Sequence, residues 1–189
     1  MAYTNSSLVS YKKLSPNHSG QRTHSIDRIT PHCVVGQLTA ESICGCFTSP
    51  SREASCNYGI GKDGKIALCV EEKNRSWCSS SSANDQRAVT IECASDLNHP
   101  YAMTTAVYNS LVKLCTDICK RNGKKKLLWL GDKNKTLNYS PKSDEMVPTR
   151  LSLIWIHLTG CRRKSSAEQS ISQARMETNP LQPIHLPVW

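Results

Sequence analysis

Ala88-Val89-Thr90-Ile91-Glu92-Cys93-Ala94 reads as a strand whose residues are mostly apolar on both faces. Such a run belongs at the centre of a sheet covered on both sides, not at a solvated edge. Glu92 is the exception within it. A lone carboxylate among Val89, Ile91 and Ala94 is costly to bury unless something compensates it. A salt bridge, an edge-facing position, or a nearby metal or bound water would each do so.

Downstream of this strand, the spacing predicts a helix over 101–122, where Met103, Val107, Leu111, Leu114, Cys115, Ile118 and Cys119 recur at three- and four-residue steps. Gly123 follows at its end, where glycine relieves left-handed strain. Lys124-Lys125-Lys126 reads as a basic turn leading into the strand Leu127-Leu128-Trp129-Leu130. Upstream, Lys73 to Asp85 reads as a loop rich in Ser and Asn, with Trp77 set in it. Asp63-Gly64, inside the run Asn57 to Val70, is a hairpin signal, because glycine supplies the positive φ of a tight turn. Thr39 can cap a short helix through about Phe47, which Ser49-Pro50-Ser51 breaks. Residues 27–36 read as the first strand. In its Ile29-Thr30-Pro31-His32-Cys33-Val34-Val35-Gly36 portion, His32 stands at the rim of the sheet. Residues 1–26 are polar and without period, and read as an extended arm. Strands alternating with helices indicate an α/β fold, a mixed central β-sheet flanked by helices.

The chain has 189 residues, enough for one domain with a real core. Only 38% are hydrophobic and one is Phe, so small aliphatics and cysteine must fill much of the interior. Ten cysteines occur without a CxxC pair, which argues against a zinc ribbon or a thioredoxin-like site. Cys69, in Ala67-Leu68-Cys69-Val70, and Cys93 lie in apolar runs and are expected to act as small hydrophobes, not as disulfide partners. The N-terminus lacks an apolar core of signal-peptide length, so synthesis in a reducing cytoplasm is expected. No run of eighteen apolar residues exists, so no membrane insertion is expected. A net charge of +9 favours polyanionic partners such as nucleic acid or an anionic wall. No zinc finger, RNA-recognition motif or basic heptad region supports nucleic acid, which is not expected as a partner.

Three features converge on chemistry. His32 ends one strand, Trp77 sits in a polar loop, and Glu92 stands alone in the apolar strand. Neutral imidazole is a common zinc ligand, and a strand end holds it rigidly. If Glu92 faces the same cleft, zinc can activate a water while the carboxylate takes or relays its proton.

Several motifs carry a resemblance: Ser15-Pro16-Asn17-His18-Ser19-Gly20, Ile26-Asp27, His32-Cys33-Val34-Val35-Gly36, Ala54-Ser55, and Asn57-Tyr58-Gly59-Ile60-Gly61. To these add the runs Val70 to Cys78, Ala83 to Glu92 and Asp117 to Gly123. In this order they resemble the type-2 N-acetylmuramoyl-L-alanine amidases, the zinc amidases of phage and prophage endolysins related to peptidoglycan recognition proteins. The likeness runs over about residues 11–147. It implies a zinc-dependent hydrolase acting on the bacterial cell wall, cutting the amide between N-acetylmuramic acid and the L-alanine of the stem peptide. His32 matches the family's first zinc ligand. Glu92 matches the carboxylate that serves the attacking water. Tyr58 and Trp77 lie in motifs that line the cleft and are assigned to substrate contact. Peptidoglycan is the implied partner.

After Val147 the pattern breaks. The family's later zinc ligands are a His and a Cys in a Lys-x-Cys-Pro-Gly-like stretch, and no Cys-Pro-Gly appears here. His157 and Cys161 have the right chemistry at a shorter spacing, and stand as additional candidate ligands. The expected organisation is an arm over 1–26, an amidase-like domain over 27–147 and an atypical tail over 148–189. A catalytically inactive, peptidoglycan-binding module of the same fold is the competing expectation.

Overall fold

The computed structural model describes residues 3–130, 132–149 and 184–185. His157 and Cys161 lie outside the described residues, as does most of the tail. In chain order the strands are β1 (Tyr11–Lys12), β2 (His18–Gln21), β3 (Arg28–Cys33), β4 (Tyr58–Ile60), β5 (Ile66–Leu68), β6 (Asn74–Ser76), β7 (Ala88–Cys93), β8 (Lys126–Trp129), β9 (Glu145–Pro148) and β10 (Ile184–His185). The α-helices are α1 (Ala40–Gly45), α2 (Ser82–Arg87), α3 (Thr105–Arg121) and α4 (Lys133–Asn138). Eight strands form one sheet in the order β1-β5-β4-β7-β3-β9-β8-β10, and β2 pairs with β6 in a separate ribbon. The sheet is mostly parallel, as expected for an α/β layer; β4–β5 and β8–β10 are its antiparallel pairs.

β7 lies between β3 and β4, parallel to both. Val89 and Ile91 are fully buried, which is what an apolar strand in that position requires. The amphipathic helix runs over Thr105–Arg121, capped by the Thr104 hydroxyl, and buries Val107, Leu111, Leu114, Ile118 and Cys119. Gly123 beyond it has φ +66°. The hairpin at Asp63-Gly64 forms as its sequence dictates, with Gly64 at φ +83° and Tyr58 opposite Leu68. Thr39 caps α1 by accepting from the Ser42 amide.

Four features differ from the sequence reading. The first concerns the N-terminal stretch, which is extended but packed. Tyr11–Lys12 adds to the sheet beside β5, and His18–Gln21 pairs with β6. Pairing satisfies backbone groups that side-chain patterning does not reveal. The second is the loop from Lys73 to Asp85, which holds β6 and α2; Ser81 accepts from the Asn84 amide at the start of α2. Six residues are too few for a helical period to stand out. Third, Cys44 and Cys69 form a disulfide, with Cα atoms 5.3 Å apart. Cys69 is therefore a cross-link and not only a small hydrophobe; α1 lies against the β4–β5 hairpin and brings the two residues together. Finally, the ordered layer continues past Val147: Thr149 is buried and its amide donates to the Ile29 carbonyl.

The glycine of Asn57-Tyr58-Gly59 allows this approach of α1. A Cβ on Gly59 would lie 2.7 Å from Cγ2 of Ile43, closer than packed carbons come.

Candidate active site

Register decides where the chemistry gathers. In the parallel pair β3–β7, His32 is directly opposite Glu92, one position from the carboxyl end of each strand. Side chains at matched positions of neighbouring strands point to the same face. His32 and Glu92 therefore stand side by side at the carboxyl edge of the sheet, where open α/β sheets bind ligands. His32 Nδ1 is 3.8 Å from Glu92 Oε1, and both side chains are 14% exposed. The pair is partly wet, enough for a substrate atom to reach.

A third group joins them. Cys78 Sγ lies 3.7 Å from Glu92 Oε1. One ligand atom from each of His32, Cys78 and Glu92 falls within 4.8 Å of the others. Imidazole nitrogen, thiol sulfur and carboxylate oxygen are the donors that zinc takes in proteins. The donor chemistry and mutual distances fit such an ion.

Local bonding holds Cys78 in place. Its amide and that of Ser79 both donate to Asp85 Oδ2, at 3.0 and 3.1 Å, and the Ser79 hydroxyl donates to Asp85 Oδ1. On the other side, Trp77 exchanges two bonds with Ser55: Trp77 N donates to Ser55 Oγ at 3.0 Å, and Ser55 N donates to the Trp77 carbonyl at 2.9 Å. Burial, followed by the charge of Glu92, pushes the Cys78 thiol well above its ordinary pKa. Burial does the same to Cys56 and Cys93, with Glu92 adding to both.

A buried polar layer behind the site fixes the strand ends. Asn57 Oδ1 accepts from the Thr90 amide at 3.1 Å and from Arg22 at 3.0 Å. Desolvation lowers Arg22 to about 10, against the pull of Glu72. Thr30 and Thr149 share a hydroxyl contact of 2.5 Å, and Asn84 Nδ2 donates to Thr30 Oγ1.

Among the residues singled out in the sequence, the structure brings together His32 and Glu92, with Trp77 next to Cys78 in the chain. Trp77 is partly exposed, and its indole N–H donates to Ser19 Oγ at 2.7 Å. Tyr58 is not in this group. It is fully buried, opposite Ile91 and not Glu92 in register, so its ring takes the other face of the sheet. Its hydroxyl donates to Glu72 Oε1 at 2.5 Å and accepts from the Ser6 amide at 2.8 Å. Tyr58 is a core residue, buried on the face of the sheet away from His32 and Glu92. Cys78 is the residue that reading the sequence missed. Its place directly after Trp77, in a run that also bears the resemblance, was the available signal.

Comparison with solved structures places the fold. The chain superposes on the structure of PlyL with a TM-score of 0.53 at 13% identity, covering 81% of this chain and 91% of that one. A selenomethionine derivative of AmpD gives 0.53 at 17% identity, with 88% and 92% covered. The Staphylococcus aureus hydrolase AmiA in complex with its ligand gives 0.53 at 13%, with 79% and 68% covered. The chain shares the fold of these three proteins. Comparison with curated protein sequences finds no match.

Residues 22–135, more than half of the chain, match the Amidase_2 family model, described as N-acetylmuramoyl-L-alanine amidase. The chain belongs to this family, and its enzyme class is that of an N-acetylmuramoyl-L-alanine amidase acting on peptidoglycan. No helix of the described residues is long and apolar enough to cross a membrane.

Proposed function

We propose that the protein is a zinc-dependent peptidoglycan amidase of the endolysin type. In this reading it cleaves the amide between N-acetylmuramic acid and the L-alanine of the stem peptide, with His32 as a metal ligand and Glu92 as the acid–base group. The observation that carries it is the placement of His32 beside Glu92 at the carboxyl edge of the sheet, 3.8 Å apart. His32 would help hold a zinc ion there, and the bound ion would supply a lowered pKa for water and polarisation of the amide carbonyl.

The remaining work belongs to side chains of this chain. Glu92 accepts the proton of the attacking water at a carboxylate oxygen and returns it to the departing amine of L-alanine. Its carboxylate faces the imidazole of His32 across the strand pair. Trp77, partly exposed and next to Cys78 in the chain, is assigned to contact with the apolar face of a sugar or a stem-peptide methyl group. The net charge of +9 would draw the protein to the anionic polymers of a Gram-positive wall at low salt. We place its action at the bacterial wall and its synthesis, as a phage or prophage lysin, in the cytoplasm.

One observation favours a second reading, a peptidoglycan-gripping module of the same fold that does not cut. The run after Val147 contains no Cys-Pro-Gly stretch, so the family's later ligands have no counterpart there at the usual spacing. Ligand number and geometry set metal affinity, and a site short of ligands turns over weakly.

The test is loss of turbidity of a clostridial wall suspension, with new N-termini identified. Zinc-supplied protein is expected to release N-terminal L-alanine. Chelator should abolish the release, and zinc should restore it. Binding to the wall without any release in zinc would overturn the enzymatic reading and leave the gripping module.

A further inference from the structure

We infer that Cys78 is a thiolate ligand of the same metal, supplying the sulfur donor that the sequence after Val147 does not offer at the family's spacing. The inference rests on the metal-dependent reading above. Three observations carry it. Sγ of Cys78, the imidazole of His32 and the carboxylate of Glu92 each present one donor within 4.8 Å of the others. The donors come from three separate parts of the chain: the carboxyl ends of β3 and β7 and the loop after β6. Their meeting therefore follows from the tertiary fold and not from one local turn.

The third observation concerns the loop. It is fixed on both sides of Cys78 by bonds that do not involve the thiol. Asp85, 3% exposed, spends both carboxylate oxygens on the Cys78 and Ser79 amides and the Ser79 hydroxyl. Ser55 clamps the Trp77 backbone. A ligand held by its supporting bonds loses little freedom on binding, which is how metal sites are preorganised. Binding releases the thiol proton to solvent and forms one metal–sulfur bond, with no redox change. The sulfur also lies 3.7 Å from Glu92 Oε1, so an ion shared by Cys78 and His32 sits within reach of the carboxylate.

Cobalt(II) and zinc, added to the full chain, are the probes. The cobalt-loaded protein is expected to show thiolate-to-cobalt charge-transfer absorption in the near ultraviolet at one metal per chain. Cys78→Ser should lose that absorption and bind at least about tenfold more weakly, since even outer-shell partners of metal sites cost that much. Cys46→Ser, at an exposed free cysteine, should leave both unchanged. If Cys78→Ser does not fold by circular dichroism, X-ray absorption at the zinc edge of the unaltered protein decides. A sulfur neighbour at about 2.3 Å is expected, and a shell of nitrogen and oxygen alone overturns the inference. Retained absorption and affinity in folded Cys78→Ser overturn it as well. Should Cys78→Ser lose the absorption while the zinc-loaded parent cuts no peptidoglycan, the ligand assignment stands and the amidase reading fails. If the parent cuts and Cys78→Ser binds metal like the parent, the reverse holds.

Discussion

Glu72 and Glu92 are both withdrawn from solvent, yet their surroundings differ in kind. Glu72 is 1% exposed. It accepts from Tyr58 at 2.5 Å and from two nitrogens of Arg121 at 2.6 and 3.0 Å. Arg121 is itself tied to Asp117 and to the Thr4 carbonyl. Burial is the largest single influence on Arg121 and disfavours its charge, but the bond and charge of Glu72, with the bond to Asp117, together outweigh it and leave the guanidinium above its ordinary pKa. Burial also pushes the Tyr58 hydroxyl up, and Glu72 adds to that. Glu92 instead faces an imidazole at 3.8 Å and a thiol at 3.7 Å, at a sheet edge that a ligand can reach. A carboxylate locked by an arginine fork has its charge spent on the fold. One set among softer donors that can bind a metal has its charge open to chemistry.

The largest effect should come from Glu92. Glu92→Gln keeps the shape and removes the proton acceptor, so wall hydrolysis should fall by about 10²- to 10⁴-fold, the usual worth of a general acid–base group. The melting temperature should stay close to that of the parent, because the amide keeps the shape of the side chain and one of its acceptor oxygens. Equal activity in parent and variant, measured as released L-alanine termini, would place the acid–base function elsewhere.

Arg121→Ala should show the opposite pattern. Removing one partner of a buried, hydrogen-bonded pair leaves a charge without its counter-ion, at a cost of about 3–5 kcal/mol. Urea unfolding should reveal that loss, while the folded fraction at low temperature keeps the kcat of the parent. A variant of unchanged stability with a large fall in kcat would erase the contrast between the two glutamates.

The Glu92 side of this contrast could be read from the sequence, the Glu72 lock could not, and the difference has a physical reason. The strand over 88–94, the helix under α3 and the Asp63-Gly64 turn follow from local periodicity and turn chemistry. The pairing of His32 with Glu92 was readable as a conjecture, because a polar residue near the end of an apolar strand has few tolerable surroundings. Cys78 was not, since a cysteine in a polar loop has no periodicity and its meaning depends on a register formed far away in the chain. The Cys44–Cys69 bridge and the pairing of Tyr11–Lys12 were hidden for the same reason: both are long-range contacts between segments with weak local signals.

Tyr58 provides the finest test, because the family resemblance and the structure give it different jobs. The resemblance puts it at the substrate; the fold buries it behind the sheet, bonded to Glu72 and the Ser6 amide. Tyr58→Phe keeps the ring and removes only the hydroxyl. Glu72 retains both Arg121 contacts, so the cost should be limited to one hydrogen bond and a partly unsatisfied amide, about 1–2 kcal/mol. Urea unfolding should show that loss of stability as a lower midpoint at unchanged slope, and KM for solubilised peptidoglycan should not move. A raised KM at full stability would return Tyr58 to the cleft and show that β4 presents the face toward Glu92 that Gly59 occupies here.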